Sequence, residues 1–250
     1  MNAIIVTPTY NEADNIEKLA RKIFAHIPDL HILIVDDSSP DGTGDIADRM
    51  AGNPEYNGQV HVLHRQAKEG LGRAYLAGFA WALERGYDAV IEMDADLSHD
   101  PLYLESMIRA GQTSDVVIGS RYLNGISVIN WPLQRILLSL GANHYVRTIT
   151  RVPINDCTSG FRLYKRSVLE SISLSTIRSN GYSFQVEMSF RAHIAGFHIT
   201  EVPIIFMERR AGQSKMSKGV IVESVLMPIR LRLRERALRR ELSGIKVIAA

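Results

Sequence analysis

Short apolar runs alternate with amphipathic segments along the first 120 residues of the chain. Five runs rich in Val, Ile and Leu predict buried strands, at 3–6, 31–35, 60–63, 89–93 and 116–119. After the first of them, Ile16, Leu19 and Ile23 recur at helical spacing and predict an amphipathic helix. This alternation indicates an α/β fold, with a mostly parallel central sheet and helices on both faces.

The pattern changes after residue 120. Helices are predicted over about 131–150, 183–195 and 219–242, with a short strand at Leu163. A strand over 199–206 contains Pro203, which predicts a position at the edge of the sheet. We therefore expect one domain over 1–217 and a C-terminal basic amphipathic helix over 218–250. That helix either contacts a membrane surface or partner, or docks on the core.

Composition narrows the class of protein. The hydrophobic share is 46%, the net charge is +2, and no apolar run approaches the ~18 residues that span a bilayer. The N-terminus does not resemble a signal peptide, and Cys157 has no partner for a disulfide, so a cytosolic location is expected. Ten Lys or Arg lie between Arg209 and Arg240, against Glu223 and Glu235. Such a segment favours anionic partners: a membrane surface, a phosphate or nucleic acid.

Acidic residues follow the fourth predicted strand. Asp94 and Asp96 lie one residue apart, and in an extended segment their side chains point the same way. The carboxyl edge of an α/β sheet is where ligands bind, and paired carboxylates suit Mg²⁺ or Mn²⁺. The competing interpretation is a polar turn that caps the next helix. Since Asp100 before Pro101 already supplies that cap, we expect Asp94 and Asp96 to have no structural role.

Acids also follow the first two strands, at Glu12 and at Asp36 with Asp37. A nucleotide and its metal would relieve the repulsion among carboxylates gathered at one edge. A dinucleotide-binding motif at Gly70 is disfavoured, because Tyr75 replaces its third glycine. A phosphatase is disfavoured too, since its paired aspartates would follow the first strand. Among the histidines, His99 alone lies beside the acid pair.

Five segments in this order resemble the signature of the dolichyl- or polyprenyl-phosphate mannosyltransferases. They are 8–12 (PTYNE), 35–43 (VDDSSPDGT), 94–99 (DADLSH), 119–122 (GSRY) and 209–215 (RRAGQSK). The resemblance extends from about residue 4 to 217. It implies an inverting nucleotide-sugar transferase of the GT-A type that moves mannose from GDP-mannose to a polyprenyl or dolichyl phosphate.

The resemblance also implies roles for individual residues. The guanosine would be held by Pro8, Tyr10, Glu12, Val35 and Asp37. The metal and diphosphate would be held by Asp94, Ala95 through its backbone, and Asp96, with phosphates faced by Arg121, Arg209 and Lys215, and by Arg135 on the acceptor side. Asp94, Asp96, Arg121 and Arg209 are therefore the candidate catalytic residues.

One position departs from the family pattern. Ser98 stands where family members often have a Gln that can bind the metal. Ser98 offers only a hydroxyl, so either a water completes the shell or the metal binds more weakly.

The expected partners are GDP-mannose, the lipid phosphate and the cytosolic face of a membrane, reached directly or through small anchor subunits, with no nucleic acid. Two alternatives stay open: glucose transfer from UDP-glucose to the same acceptor, and a catalytically silent nucleotide-sugar-binding subunit.

Overall fold

The computed structural model describes residues 1–208 and 218–248, with side chains from 223 to 243 in the last segment. The predicted loop that contains Arg209 and Lys215 lies outside the described residues.

Nine strands form two sheets in the described residues. The strands are β1 Ala3–Thr9, β2 His31–Asp36, β3 Val60–His64, β4 Ala89–Glu92, β5 Val116–Ser120, β6 Val128–Ile129, β7 Arg162–Lys165, β8 Ile199–Pro203 and β9 Phe206–Met207. The main sheet has seven strands in the order β3-β2-β1-β4-β7-β5-β8, and β6 pairs with β9 separately. All five strands predicted in the first 120 residues are confirmed.

Eight α-helices surround the sheets in the described residues. They are α1 Ile16–His26, α2 Thr43–Ala51, α3 Leu71–Glu84, α4 Leu104–Ala110, α5 Leu133–Thr150, α6 Arg166–Ser171, α7 Gly181–Ile194 and α8 Lys218–Ile248. Alternate residues of β1 enter two different apolar clusters: Ile4 and Val6 belong to one, and Ala3 and Ile5 to the other. Both faces of the sheet are therefore covered, as the sequence predicts.

Strand β7 runs antiparallel to both of its neighbours, β4 and β5, whereas the other strand pairs of the main sheet are parallel. The sequence predicts the strand at Leu163 but not its place between β4 and β5. Pairing in register sets Arg162 opposite Glu92, so two ionisable side chains share one buried location.

Two glycines let α3 begin close to the segment that precedes α7. A Cβ on Gly72 would lie 2.7 Å from the Ser179 carbonyl oxygen, and one on Gly70 would lie 2.8 Å from Asn180 Oδ1. Gly70 and Gly72 therefore allow the start of α3 to pack closely against Ser179 and Asn180. This packing role does not require the third glycine of a dinucleotide-binding motif.

The predicted strand over 199–206 divides at Pro203. Residues up to Pro203 form β8 at the edge of the main sheet, as predicted, and β9 pairs with β6, which the sequence analysis missed. Strands of two residues carry too little periodicity to be recognised in a sequence.

Helix α8 packs on α5, α6 and α7. Leu231, Leu238 and Leu242 are buried in the larger apolar cluster. One side of the predicted amphipathic helix is therefore docked on the core. A second apolar stripe, which consists of Leu226, Ile229 and Leu233, remains exposed.

Three polar groups meet at the opposite end of the sheet from the strand-end acids. His31 Nδ1 lies 3.0 Å from His61 Nε2, and the Tyr87 hydroxyl lies 2.9 Å and 3.3 Å from these two nitrogens. We call this group the histidine triangle. Burial lowers the pKa of both imidazoles, so the neutral forms are favoured.

Candidate active site

The carboxyl ends of β2, β1 and β4 are neighbours, because these parallel strands are consecutive in the sheet. Glu12, Asp37, Asp94 and Asp96 all follow these ends. The topology therefore brings the three predicted acidic segments to one edge of the sheet. The edge is the usual ligand-binding location of α/β sheets.

The segment with Asp94 and Asp96 is a turn and not an extended strand, since β4 ends at Glu92 and Leu97 has a φ of 63°. Both carboxylates also accept hydrogen bonds within the protein. The Tyr75 hydroxyl donates to Asp94 Oδ1 at 3.2 Å, and the Ser98 amide donates to Asp96 Oδ1 at 3.0 Å. The expectation that the pair has no structural role is therefore wrong.

The predicted cap at Asp100 is confirmed, because its Oδ1 accepts from the Leu102 amide at 3.0 Å. It begins a short 3-10 turn that continues into α4. Asp100 therefore performs the capping that the competing interpretation assigned to the acid pair.

The Ser98 hydroxyl is buried and forms no hydrogen bond among the described residues. A buried polar atom without a partner is costly, so such an atom indicates a ligand or a water. No three His, Cys, Asp or Glu side chains group as a metal site within 1–208 and 218–248. A divalent ion would therefore depend on Asp94, Asp96, Ser98 and the oxygens of the nucleotide. These hard oxygen donors fit Mg²⁺ or Mn²⁺.

His99 lies directly behind the acid pair. Its Nδ1 accepts from the Asp94 amide at 3.2 Å and lies 4.0 Å from Asp94 Oδ2. Burial lowers the pKa of His99 although the nearby aspartates oppose this, so the ring stays neutral and fixes the turn. His99 stacks on Phe161 and contacts Phe206 edge-on, which continues the packing toward β9.

The residues predicted to bind the nucleotide sugar differ in how exposed they are. Tyr10 is exposed and has the Lys68 ammonium 3.8 Å above its ring, whereas Glu12 accepts from Asn15 Nδ2 at 2.7 Å. Val35 is fully buried, so only its backbone could meet a nucleotide. Pro8 is half-buried and Ala95 is buried.

Asp37 forms an ion pair with Arg65, which follows the end of β3. Burial raises the pKa of the Asp37 carboxyl although Arg65 acts in the opposite direction. Its neighbour Asp36 has a structural role, because it accepts hydrogen bonds from Thr9 and Ser39. The sequence analysis missed Arg65 and Lys68, although their position directly after a predicted strand is a usable signal.

Arg121 is buried and forms a two-point ion pair with Asp156. Its Nε and Nη2 donate to the two carboxylate oxygens at 2.7 Å and 2.6 Å, and Nη2 also donates to Thr158 Oγ1 at 2.8 Å. Although burial opposes ionisation, Arg121 holds the pKa of Asp156 below its ordinary value. The Nη1 nitrogen forms no hydrogen bond among the described residues. Asp156 thus orients Arg121, and the sequence analysis missed that role.

Next to Arg121 lies a cavity of about 710 Å³ between α5, α7 and α8. Apolar residues form much of its wall, including Leu137, Leu138, Val186 and Met227. Arg121 and Arg135 also line it.

Arg135 pairs with Glu208 and lies 4.0 Å over the Trp131 ring. Both predicted arginines therefore reach the same cavity, and each already has a carboxylate partner. A ligand phosphate would share Arg135 with Glu208.

A buried polar network lies beneath the acid pair. Gln185 Nε2 donates to Glu92 Oε2 at 2.7 Å, and burial raises the pKa of Glu92 to about 8. Arg162 donates to the carbonyl oxygens of Ser159, Cys157 and Gln185. The network joins β4, β7 and α7 behind Asp94. No pattern in the sequence predicts it, because it depends on the antiparallel insertion of β7.

The fold is that of the GT-A nucleotide-diphospho-sugar transferases. A solved structure with this fold is glucosyl-3-phosphoglycerate synthase from Mycobacterium tuberculosis in complex with Mn²⁺, UDP and phosphoglyceric acid. It has a TM-score of 0.64 and 17% identity, over 95% of this chain and 78% of that one.

The chain belongs to glycosyl transferase family 2, whose model matches residues 4–173. It is 46% identical over 227 residues to the undecaprenyl-phosphate mannosyltransferase of Micrococcus luteus, which is 90% of this chain and 92% of that protein. It is 48% identical over 224 residues to the polyprenol monophosphomannose synthase of Mycolicibacterium smegmatis, which is 89% of this chain and 83% of that protein. The chain is therefore a glycosyltransferase, as the resemblance of its motifs implies.

Among the described residues, no helix combines the length and apolar character that crossing a bilayer requires.

Proposed function

We propose that this protein transfers mannose from GDP-mannose to a polyprenyl phosphate, with inversion at the sugar carbon. Two relatives with 46% and 48% identity are mannosyltransferases named for polyprenyl acceptors. The observation that carries the proposal is the cavity of about 710 Å³ beside Arg121, which combines an apolar wall with Arg121 and Arg135 and which we now call the acceptor cavity. An apolar wall can contact the hydrocarbon chain of a lipid phosphate, and cationic side chains can bind its phosphate.

On the donor side, the strand-end acids would bind the nucleotide sugar. Tyr10, Glu12 and Asp37 would face the guanosine, and Asp94 and Asp96 would hold the divalent ion, through which the diphosphate would be bound. When bound, the ion neutralises the charge that develops on the leaving GDP. Tyr75 and His99 hold the turn in place, because they fix Asp94 through its carboxylate and its amide.

On the acceptor side, the lipid phosphate is its own nucleophile. A phosphate monoester is largely dianionic above its second pKa of about 6, so no general base is required. One phosphate oxygen forms a bond to C1 of mannose, and the C1–O bond to GDP breaks, with its electron pair leaving on GDP. Arg121 Nη1 would donate to the phosphate while Asp156 keeps the guanidinium oriented.

Two exposed leucines, Leu137 and Leu138, line the acceptor cavity, and a third, Leu133, lies one turn before them on α5. Leu133, Leu137 and Leu138 of α5 are 68%, 60% and 62% exposed, and the stripe of α8 lies on the same helix as cavity residues Val225 and Pro228. We propose that these side chains enter the cytosolic surface of a membrane, directly or beside small anchor subunits, so that the polyprenyl chain passes from lipid into the cavity.

Arg209 and Lys215, which lie outside the described residues, complete the proposal as phosphate-binding residues. Their positive charges would stabilise the leaving diphosphate. The motif resemblance supports their role.

The test is a product assay with purified protein, detergent, Mn²⁺ or Mg²⁺ and a polyprenyl phosphate. GDP-mannose and UDP-glucose are supplied side by side. We expect mannolipid from GDP-mannose only, and loss of product with a chelator. Product from UDP-glucose alone would establish the glucosyltransferase, and no product from either donor would favour the silent subunit.

A further inference from the structure

A second cavity, of about 330 Å³, lies between the segment before α7 and one side of α8. Arg178, Arg230 and Arg234 line it, with Leu233 and Met227. Met227 also lines the acceptor cavity, so the two cavities are adjacent. We call the second one the arginine cavity.

The charges in the arginine cavity do not cancel. Arg178, Arg230 and Arg234 are exposed, and none forms an ion pair in the part of the chain that the structure describes. The carboxylate that lines the cavity is Glu187, whose Oε1 accepts from Arg191 Nε and Nη2 at 2.9 Å and 2.6 Å. Three cationic side chains therefore surround an ion pair, Glu187 with Arg191, whose charges already cancel.

The floor of the cavity is extensively hydrogen-bonded. The Arg191 side chain is 3% exposed and also donates to Thr176 Oγ1 at 2.7 Å and to the Ile172 carbonyl oxygen at 3.0 Å. Glu187 Oε2 accepts from Ser179 Oγ at 2.5 Å. Glu241 lies at the margin of the cavity, outside its lining, 4.0 Å from Arg191, and accepts from Thr176 Oγ1 at 3.1 Å. An anion would enter a concave surface whose base is already organised.

Three guanidinium groups around one concavity repel one another unless an anion lies between them. Guanidinium matches the geometry of phosphate oxygens, which it binds at two points. Beside the arginines, Leu233 is 80% exposed and continues the apolar stripe with Ile229 and Leu226. Cations next to exposed apolar side chains match a phosphate that is attached to hydrocarbon chains.

We propose that the arginine cavity binds the phosphate head group of an anionic phospholipid, whose acyl chains lie along the exposed stripe of α8. The head group would seat α8 on the bilayer next to the entrance for the acceptor lipid. The inference rests on the proposed function only for the presence of a membrane. Its test measures lipid binding and not sugar transfer, so the two can fail separately.

The experiment is calorimetric titration of the full chain with monomeric dihexanoyl phosphatidylglycerol, which avoids the field of a membrane surface. Two double variants are compared. The cavity pair combines Arg230→Gln and Arg234→Gln, and the control pair combines Arg236→Gln and Arg240→Gln. Both pairs have the same spacing on the same helix and remove the same charge, but only the first lines the cavity. A parallel titration uses inorganic phosphate.

We expect one saturable site for the lipid, weakened about tenfold by the cavity pair and less than twofold by the control pair. Arg178→Gln, on a different segment, should also weaken it. Inorganic phosphate should bind at least about tenfold more weakly, because it has no chains to pack on Leu233. Equal losses in both pairs, or equal affinity for phosphate and lipid, would overturn the proposal.

Discussion

Replacing Asp156 with asparagine removes the charge that orients Arg121. The Asp156 side chain is fully buried, and the Arg121 side chain is 7% exposed. Asparagine would leave a buried guanidinium without a counter-charge and would turn an amide donor toward the Arg121 donors. Breaking a buried pair costs about 3–5 kcal/mol, and we expect the lower end because one oxygen can still accept from the Arg121 amide.

A loss of about 3 kcal/mol corresponds to a melting temperature lower by about 6–12 °C in a chain of this size. Thermal unfolding followed by circular dichroism measures it. The control is Glu105→Gln, which breaks an ion pair with Arg109 whose side chains are 75% and 73% exposed, and should cost less than about 1 kcal/mol. If Asp156→Asn costs no more than this control, the buried pair is not what holds Arg121.

The same variant predicts a pH dependence. The pKa of Asp156 is below its ordinary value in the folded protein, so its contribution to stability is present above about pH 4 and is lost as pH falls through the folded pKa. The stability difference between wild type and Asp156→Asn should therefore narrow in acid. A double variant, Arg121→Met with Asp156→Leu, should recover stability yet lose transfer to the lipid phosphate.

Three further changes test the packing and the cavity. Gly72→Ala should destabilise the protein by about 1–3 kcal/mol in urea unfolding, because its Cβ would meet the Ser179 carbonyl, whereas Gly141→Ala, with open space around it, should be neutral or stabilising. Burial lowers the pKa of His31 and of His61 in the folded protein. Below about pH 6.5 the unfolded chain therefore binds more protons at these imidazoles than the folded chain does, and the free energy of unfolding falls in acid. His61→Gln should reduce that loss between pH 7.5 and 5, and an unchanged loss would exclude the triangle as its source. Leu138→Ser should remove about 1 kcal/mol of apolar contact with the lipid chain and so raise the KM for a long polyprenyl phosphate about fivefold. The KM for GDP-mannose should stay unchanged.

The strands of the first half could be predicted because parallel sheets are buried on both faces and leave continuous apolar runs in the sequence. The acidic edge followed from the same runs, since three of them, β1, β2 and β4, are followed by carboxylates. The antiparallel place of β7 could not be predicted, because four residues of strand do not encode their neighbours. The two-residue strands β6 and β9 were missed for a related reason.

Side-chain pairing explains the remaining differences at the site. Arg121 was predicted from its motif, but its partner Asp156 is 35 residues away and comes beside it only through the fold. The orphaned hydroxyl of Ser98 and the docked leucines of α8 are likewise products of three-dimensional packing. The roles of Arg209 and Lys215 stay predictions, because both residues lie outside the described residues.

The most direct test of the strand-end site is calorimetric titration of GDP into the protein with and without Mn²⁺, in wild type, Asp96→Asn and Asp100→Asn. Asp100 carries the same charge four residues away and caps a turn, so it is the matched control. We predict that Mn²⁺ strengthens GDP binding in wild type and in Asp100→Asn. In Asp96→Asn, the ratio of the GDP affinities with and without Mn²⁺ should be at least about tenfold smaller than in wild type. A folded Asp96→Asn protein with the full Mn²⁺-dependent affinity for GDP would contradict the proposed metal–nucleotide site.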